Sequence, residues 1–298
     1  MTKQDVLVRF IFDNIPIRGE YIHLDDTYQT IIKQHAYPEP ISRILGEALA
    51  VAGLLSASIK FNGRLTVQFQ GKGKLRLLLA QCNQDLQMRG LVKWDGELSY
   101  AELMEAFNDG VLVIMLDSNN QKNRYQGIVS WRGNSIAESI EGYFKESEQL
   151  ATKLWLSVSS TSAVGLLLQA MPATSEAPVF ESEIIDSHWS HVTGLAEQIE
   201  PDDLLKLSYP DLLIQTYPND EIRVFPETPT MFHCACTRKR GEDAIYILGK
   251  EEAELELKDK QTIVVTCDFC NREYVFDRVD VAEIFTGRQA PPTDSHVH

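Results

Sequence analysis

Two close pairs of cysteines constrain how the last quarter of this chain can fold. Cys234 and Cys236 lie one residue apart in FHCACTRKR, and Cys267 and Cys270 form a C-x-x-C pair in VTCDFCN. Residues i and i+2 of an extended segment point to the same face, and the second pair lies between the strand-like runs TIVV and YVF, where a turn brings its sulfurs together. Four converging thiolates suit zinc in a tetrahedral site. The sequence therefore predicts one zinc ion on these four ligands.

Spacing alone leaves the reactivity of this site open. A permanently closed zinc site that only holds the tail folded uses the same ligands as a redox switch does. A thioredoxin-like centre is a further alternative, although its C-x-x-C opens a helix, whereas a strand is predicted after Cys270. Arg238, Lys239 and Arg240 beside the first pair would favour ionised, oxidisable thiolates by their positive field, or would form a solvated turn.

Other candidate ligands are interpreted as structural. His233 adjoins Cys234, but four sulfurs already complete a tetrahedron. His188 and His191 could chelate a metal from one helix face; without a neighbouring carboxylate pattern they are surface or packing residues. Cys82, the fifth cysteine, ends the run KLRLLLAQC and is predicted to be a small buried hydrophobe. No Walker, G-x-S-x-G or H-E-x-x-H pattern occurs, so nothing marks a hydrolase or an ATPase.

The charge balance and the start of the chain limit its partners and location. Lys and Arg total 28 against 43 Asp and Glu, a net charge of −15, which repels phosphate backbones and anionic lipid, so we expect neither nucleic acid nor membrane as a partner. The first residues, MTKQDVLVRFIFDN, interrupt their apolar run with charges, unlike a signal peptide. We expect a cytoplasmic protein, and a reducing cytosol favours metal-bound or redox-active cysteines over structural disulfides.

Residues 1–178 are predicted to form an α/β core domain. A hairpin turn at GKG, residues 71–73, joins two of the predicted strands. Capping patterns start two helices, at Ser99 with Glu102 and at Ser135 with Glu138, and a third helix begins near Pro40. The predicted strands are VLVRFIF, LTVQFQ, KLRLLLAQ, VLVIMLD and YQGIVSW.

The rest of the chain divides into three predicted segments, which makes the overall fold class α+β. Residues 179–230 are an acidic linker: from 180 to 227 there are eleven acidic residues against Lys206 and Arg223. Its many aliphatic residues predict short helices, broken at prolines, that lay an apolar side on the first domain. Residues 231–287 form the cysteine-bearing zinc module, and 288–298 form a flexible tail.

These motifs together resemble one known family over the whole chain. FHCACTRKR, ILGKEE and CDFCNREYVFDRVDVAEIF are similar to the C-terminal zinc module of the 33 kDa chaperonin family, the redox-regulated bacterial heat-shock holdases. QGKGKLR, SIAESIEGYFKESEQL and GLLLQAMP resemble its first domain. The resemblance assigns Cys234, Cys236, Cys267 and Cys270 as zinc ligands and as redox pairs, with disulfides Cys234–Cys236 and Cys267–Cys270; it assigns no role to Cys82.

The resemblance implies an ATP-independent chaperone and not an enzyme. It would be inactive when reduced and zinc-loaded, and would bind unfolded client proteins, as a homodimer, after oxidation. Collapse of the zinc module would free the acidic linker and the surface it covers. Two other functions remain as alternatives, a thiol–disulfide oxidoreductase using Cys267 and Cys270, and a zinc-ribbon nucleic-acid adaptor supported by TRKR alone.

Overall fold

The chain forms two compact units, Met1–His233 and Cys234–His298. The structure, a computed structural model, describes residues 5–59, 62–118, 124–133, 135–171 and 182–286. The predicted end of the first domain at 178 and the predicted flexible tail, 288–298, lie outside the described residues. The described residues 182–230 of the acidic linker, called the acidic segment below, belong to the first unit, and so do residues 231–233, which the sequence predicted as the start of the zinc module.

The first unit is built on two β-sheets whose strands are mostly antiparallel. In chain order its strands are β1 (Asp5–Phe12), β2 (Ile17–Leu24), β3 (Gly63–Gly71), β4 (Leu75–Asn83), β5 (Gln87–Trp94), β6 (Gly110–Ser118), β7 (Arg124–Val129), β8 (Thr152–Val158), β9 (Ala163–Ala170), β10 (Ile222–Val224), β11 (Thr228–Pro229) and β12 (Met231–Phe232). The first sheet has the order β10-β1-β2-β9-β8, with β11 also on β1, and the second has the order β12-β5-β4-β3-β6-β7. The last strand, β12, joins β5 in parallel.

Seven helices are described in this unit. They are α1 (Asp26–Lys33), α2 (Glu39–Ser58), α3 (Tyr100–Ala106), α4 (Ile136–Tyr143), α5 (Ser182–Ala196), α6 (Pro201–Lys206) and α7 (Tyr209–Thr216). A full capping box starts α3 at Ser99, as predicted. At α4 the Ser135 side chain accepts the Glu138 N–H, and the helix ends in a π-helical turn, Phe144–Glu148.

The central helix α2 joins the two sheets. Ile44, Leu45 and Ala48 are fully buried and pack in one cluster with Ile22 of the first sheet and Val67 of the second. Its length and apolar composition would suffice to cross a membrane, but 72% of its most apolar window is buried inside the protein. Such burial on all sides is typical of a core helix. The helix predicted near Pro40 is therefore confirmed as the core of the unit.

The acidic segment packs on the outer face of the first sheet, as the sequence predicts. Leu204 of α6 and Leu212 and Leu213 of α7 are buried, in one cluster with Phe10 and Leu166 of the sheet. We call the buried residues on this face of the first sheet the linker-covered face. Its residues are Val8, Phe10, Phe12, Ile17, Tyr21, Val164, Leu166 and Leu168.

Prolines lie at the boundaries of the helices of this segment, as the sequence predicts, and Pro218 follows the end of α7. Pro201 is the first residue of α6, and Pro210 lies in the first turn of α7. A proline is tolerated there because the first turn has no intrahelical partner for its missing N–H. The chain leaving α7 is then held by the short strands β10 and β11, which pair with β1.

Glu20 is a carboxylate buried inside the first unit without a full set of partners. It lies on β2 and is 2% exposed; its Oε1 is 3.8 Å from Nε of Arg18. Its Oε2 has no hydrogen-bond partner among the described residues. Burial raises the pKa of Glu20 to about 7, against the opposing charge of Arg18, because removal from water disfavours the ionised form.

We expect Glu20 to make the first unit less stable as pH rises from about 4.5 through about 7, because the folded pKa lies above the unfolded one and folding takes up a proton. Glu20→Gln should remove this loss. The free energy of unfolding of the Glu20→Gln protein minus that of the wild type should increase by about 3 kcal/mol between pH 4.5 and pH 8. Urea unfolding followed by tryptophan fluorescence measures it, because all four tryptophans precede residue 233. Exposed Glu97→Gln is the control, and equal pH profiles for wild type and Glu20→Gln would contradict this account.

The second unit is small and mostly helical. It contains α8 (Arg238–Leu248), α9 (Lys250–Lys260), β13 (Ile263–Thr266), β14 (Glu273–Phe276) and α10 (Arg278–Thr286). Its buried apolar residues are Ile245, Ala253, Leu257, Phe276, Val281 and Ile284. A cluster of this size buries little apolar area, and many natural units this small add a metal or disulfides for stability.

Candidate metal centre

The four cysteine sulfurs of the second unit form one cluster. All four lie within 4.8 Å of one another, and no other metal-binding group of this kind is found among the described residues. Sγ of Cys234 lies 3.6 Å from Sγ of Cys267, and Sγ of Cys236 lies 3.4 Å from Sγ of Cys270. Zinc–sulfur bonds of about 2.3 Å place tetrahedral sulfurs about 3.8 Å apart. The cluster has the dimensions of a four-thiolate zinc site.

Local hydrogen bonds hold each pair in position. Cys267 and Cys270 lie in the turn between β13 and β14, where the Cys267 N–H donates to the Arg272 carbonyl and the Asn271 N–H donates to the Cys267 carbonyl, both at 2.9 Å. The first pair precedes α8, whose cap is Thr237; the Thr237 side chain accepts the Arg240 N–H. The strand–turn–strand context predicted for the second pair is confirmed.

Two helices fill the spacer of about thirty residues between the pairs. Helices α8 and α9 meet at Gly249, whose backbone φ of 98° is one that residues with a side chain rarely adopt. Ile245 from α8 and Leu257 from α9 are buried together with Phe276 of β14. The spacer therefore folds back on the β13–β14 hairpin, which returns the chain to the first pair. No local pattern in the sequence predicted these two helices.

Arg238 stabilises the fold around the first pair. Its guanidinium donates to the Val275 carbonyl at 2.8 Å, lies 2.8 Å from Asp280 and stacks 4.3 Å from the centre of the Phe276 ring. Lys239 pairs with Glu242 at 2.9 Å. Arg238 therefore ties the start of α8 to β14 and α10. This use of the basic residues removes much of the support for a nucleic-acid adaptor, which had rested on TRKR alone.

The protonation of the cluster depends on burial and on the neighbouring thiols. Burial by itself would raise the pKa of Cys236, but hydrogen bonds from Tyr274 and the other thiols lower it to about 7. Burial and the nearby thiols raise the pKa of Cys270 to about 12, and burial raises the pKa of Cys234. Four thiols this close cannot all ionise unaided, because like charges repel. A divalent cation would remove this conflict, so the donor set fits zinc.

Tyr274 is a contact of the cluster that the sequence analysis missed. Its hydroxyl donates to Sγ of Cys236 at 3.3 Å, and Arg272 hydrogen-bonds to the same hydroxyl. No sequence pattern marked Tyr274, which appeared only as one residue of the strand-like run YVF. A cross-strand register, with Tyr274 opposite Val265, places it beside the first pair.

The four-sulfur cluster does not include any of the side chains that were set aside as ligands. His191 pairs with Asp220 at 3.3 Å, and the His233 N–H donates to the Met88 carbonyl in the first unit. Cys82 is fully buried in the core cluster around α2, which confirms its prediction as a small buried hydrophobe. Burial raises the pKa of the Cys82 thiol to about 12, so this cysteine is a poor nucleophile.

Comparison with known proteins agrees with this fold. The family model described as Hsp33 protein matches residues 5–277. Proteins named 33 kDa chaperonin from Methylobacillus flagellatus, at 38% identity, and Nitrosococcus oceani, at 39%, align over 100% of both chains. The crystal structure of a 33 kDa chaperonin from Thermotoga maritima shares the fold with a TM-score of 0.78 at 21% identity, covering 95% of this chain and 99% of that one. The chain belongs to the Hsp33 protein family.

Proposed function

We propose that the protein is a redox-regulated, ATP-independent chaperone that binds unfolded polypeptides stoichiometrically once its four-sulfur cluster is oxidised. The observation that carries this proposal is the convergence of Cys234, Cys236, Cys267 and Cys270 within 4.8 Å in a unit with a small core. Membership of the Hsp33 family and relatives named 33 kDa chaperonin support a chaperone. In the reduced protein these four residues would hold one zinc ion.

Zinc, when bound, supplies positive charge that keeps all four thiols ionised. Oxidation of one pair by hydrogen peroxide transfers two electrons to the O–O bond, forms one S–S bond and leaves two hydroxide ions. Two peroxide molecules convert both pairs and remove all four ligands. The proposed disulfides are Cys234–Cys236 and Cys267–Cys270, supported by the family resemblance. Two close sulfur contacts, Cys234 with Cys267 and Cys236 with Cys270, run between the pairs, so peptide mapping of the oxidised protein is the decisive check of the pairing.

Loss of the metal is proposed to unfold the second unit and then loosen the acidic segment. Metal binding contributes on the order of 10 kcal/mol to the folding of such small units. Cys234 follows β12 by one intervening residue, and β11 and β12 are two residues long, so they depend on a well-anchored chain. If β11 and β12 separated from their partner strands, α6 and α7 would be released from the linker-covered face. Exposed apolar area of this kind binds unfolded chains.

The remaining parts of the proposal concern assembly and location. We propose a homodimer as the active form and the cytoplasm as the site of action, both supported by the family resemblance. A net charge of −15 disfavours nucleic acid and anionic membranes as partners and helps a client-loaded complex stay in solution.

The test combines zinc content, free-thiol count and aggregation of a denatured protein, before and after peroxide. We expect the reduced protein to carry one zinc and five free thiols, and to leave aggregation unchanged. The oxidised protein should have lost its zinc, retain the Cys82 thiol alone, and suppress aggregation at equimolar ratio without ATP. Catalytic turnover of small disulfides would instead indicate an oxidoreductase, and oxidation without any suppression of aggregation would refute the proposal.

A further inference from the structure

The Tyr274 hydroxyl donates a side-chain hydrogen bond to the four-sulfur cluster, so this bond exists only while residue 274 is tyrosine. Tyr274 packs against the core of the second unit, and its Oη lies 3.3 Å from Sγ of Cys236. Two other sulfurs accept backbone N–H groups: Cys234 from Cys236, and Cys270 from Arg272. Backbone donors persist whatever side chain is present. Among these three bonds, the bond to Cys236 is therefore the one that a substitution can remove by itself.

The direction of this hydrogen bond follows from its second partner. Arg272 also hydrogen-bonds to the Tyr274 hydroxyl, and a guanidinium can only donate. The phenolic oxygen therefore accepts from Arg272, and its single proton points to the Cys236 sulfur. Arg272 lies next to the turn that holds Cys270. The two hydrogen bonds, from Arg272 to Tyr274 and from Tyr274 to Cys236, therefore connect the two cysteine pairs.

We propose that Tyr274 is a positioning residue that strengthens metal binding by Cys236 and slows its oxidation. With zinc bound, Cys236 would be ionised whether or not Tyr274 donates to it. A hydrogen bond to that thiolate then draws electron density from sulfur, which lowers its nucleophilicity, and it holds the ligand in the orientation that the metal needs. The inference deepens the proposed redox switch and rests on it. Tyr274 would set the oxidant level at which the switch responds.

The reaction that Tyr274 slows can be written in balanced form. The Cys236 thiolate attacks one oxygen of hydrogen peroxide; an S–O bond forms, the O–O bond breaks and hydroxide leaves. A neighbouring thiolate then attacks the same sulfur, forms the S–S bond and displaces a second hydroxide. Withdrawing electron density from the Cys236 sulfur slows the first of these steps.

Tyr274→Phe in the full-length, reduced, zinc-loaded protein tests this role. We expect zinc binding about tenfold weaker in competition with a chromophoric chelator, and loss of thiols to a fixed peroxide concentration about threefold faster. Tyr246→Phe is the matched control, because Tyr246 belongs to the same unit but stacks on Phe285. It should behave as the wild type.

Arg272→Ala provides a second variant that leaves the tyrosine ring in place. It should change both quantities in the same direction by a smaller factor, and it decides the outcome if Tyr274→Phe fails to fold. Wild-type zinc affinity and thiol-loss rate in either folded variant, or slower loss, would overturn the role of Tyr274. If the wild type is at the same time activated normally by peroxide, the proposed function is unaffected by that result. A wild type without zinc or without peroxide activation would refute the proposed function itself.

Discussion

Replacing Cys234 by serine is expected to abolish stoichiometric zinc binding and to unfold residues 234–286. The cluster offers four ligands, and a missing thiolate opens the tetrahedron. The second unit would then lose a contribution on the order of 10 kcal/mol, which its six buried apolar residues cannot replace. Zinc analysis by atomic emission and limited proteolysis of the second unit measure the two effects. Cys267→Ser should behave in the same way.

Cys82→Ser is the matched control for the cysteine variants. It also removes one thiol, but Cys82 is buried in the core of the first unit, so zinc content should stay at the wild-type value even if the first unit is destabilised. A Cys234→Ser protein that keeps one zinc per chain and peroxide-dependent activation would show that the ligands are assigned wrongly.

The second large effect is expected from Leu212→Ser combined with Leu213→Ser. These side chains are 2% and 5% exposed and pack on the linker-covered face. Replacing a buried leucine by a much smaller side chain costs about 2–5 kcal/mol, and a hydroxyl buried there would cost more. The two substitutions together should detach α7 without any oxidation. We expect the reduced, zinc-loaded variant to suppress aggregation and to be cleaved faster within residues 182–230.

Ile214→Ser provides the control on the same helix, because Ile214 is 69% exposed and should leave both properties unchanged. On the same face Leu204 is buried and Leu205 is partly buried, and serine at Leu204 should act in the same direction. Unchanged activity and unchanged protease sensitivity in the Leu212 and Leu213 variant would show that docking of the acidic segment does not control activity.

Local signals predicted several elements correctly because the physics behind them is local. The hairpin turn at residues 71–73 joins β3 and β4, and the Ser99 cap starts α3. Strands β2, β5, β8 and β9 were not predicted. The sequence of β2, IRGEYIHL, carries charges at positions that look solvent-exposed, yet Glu20 is buried. Only its neighbours in the sheet, β1 and β9, make it a central strand.

The amino-acid sequence by itself determined the four cysteines of the candidate metal centre, the central apolar helix and the acidic segment with its apolar side. Each depends on residue type and short spacing, which the chain carries wherever it folds. The tertiary structure decided which sheet face the acidic segment covers, how α8 and α9 bring the two cysteine pairs together, and that Tyr274 reaches Cys236. These depend on the register of β13 with β14 and on contacts between residues far apart in sequence, which no local pattern encodes.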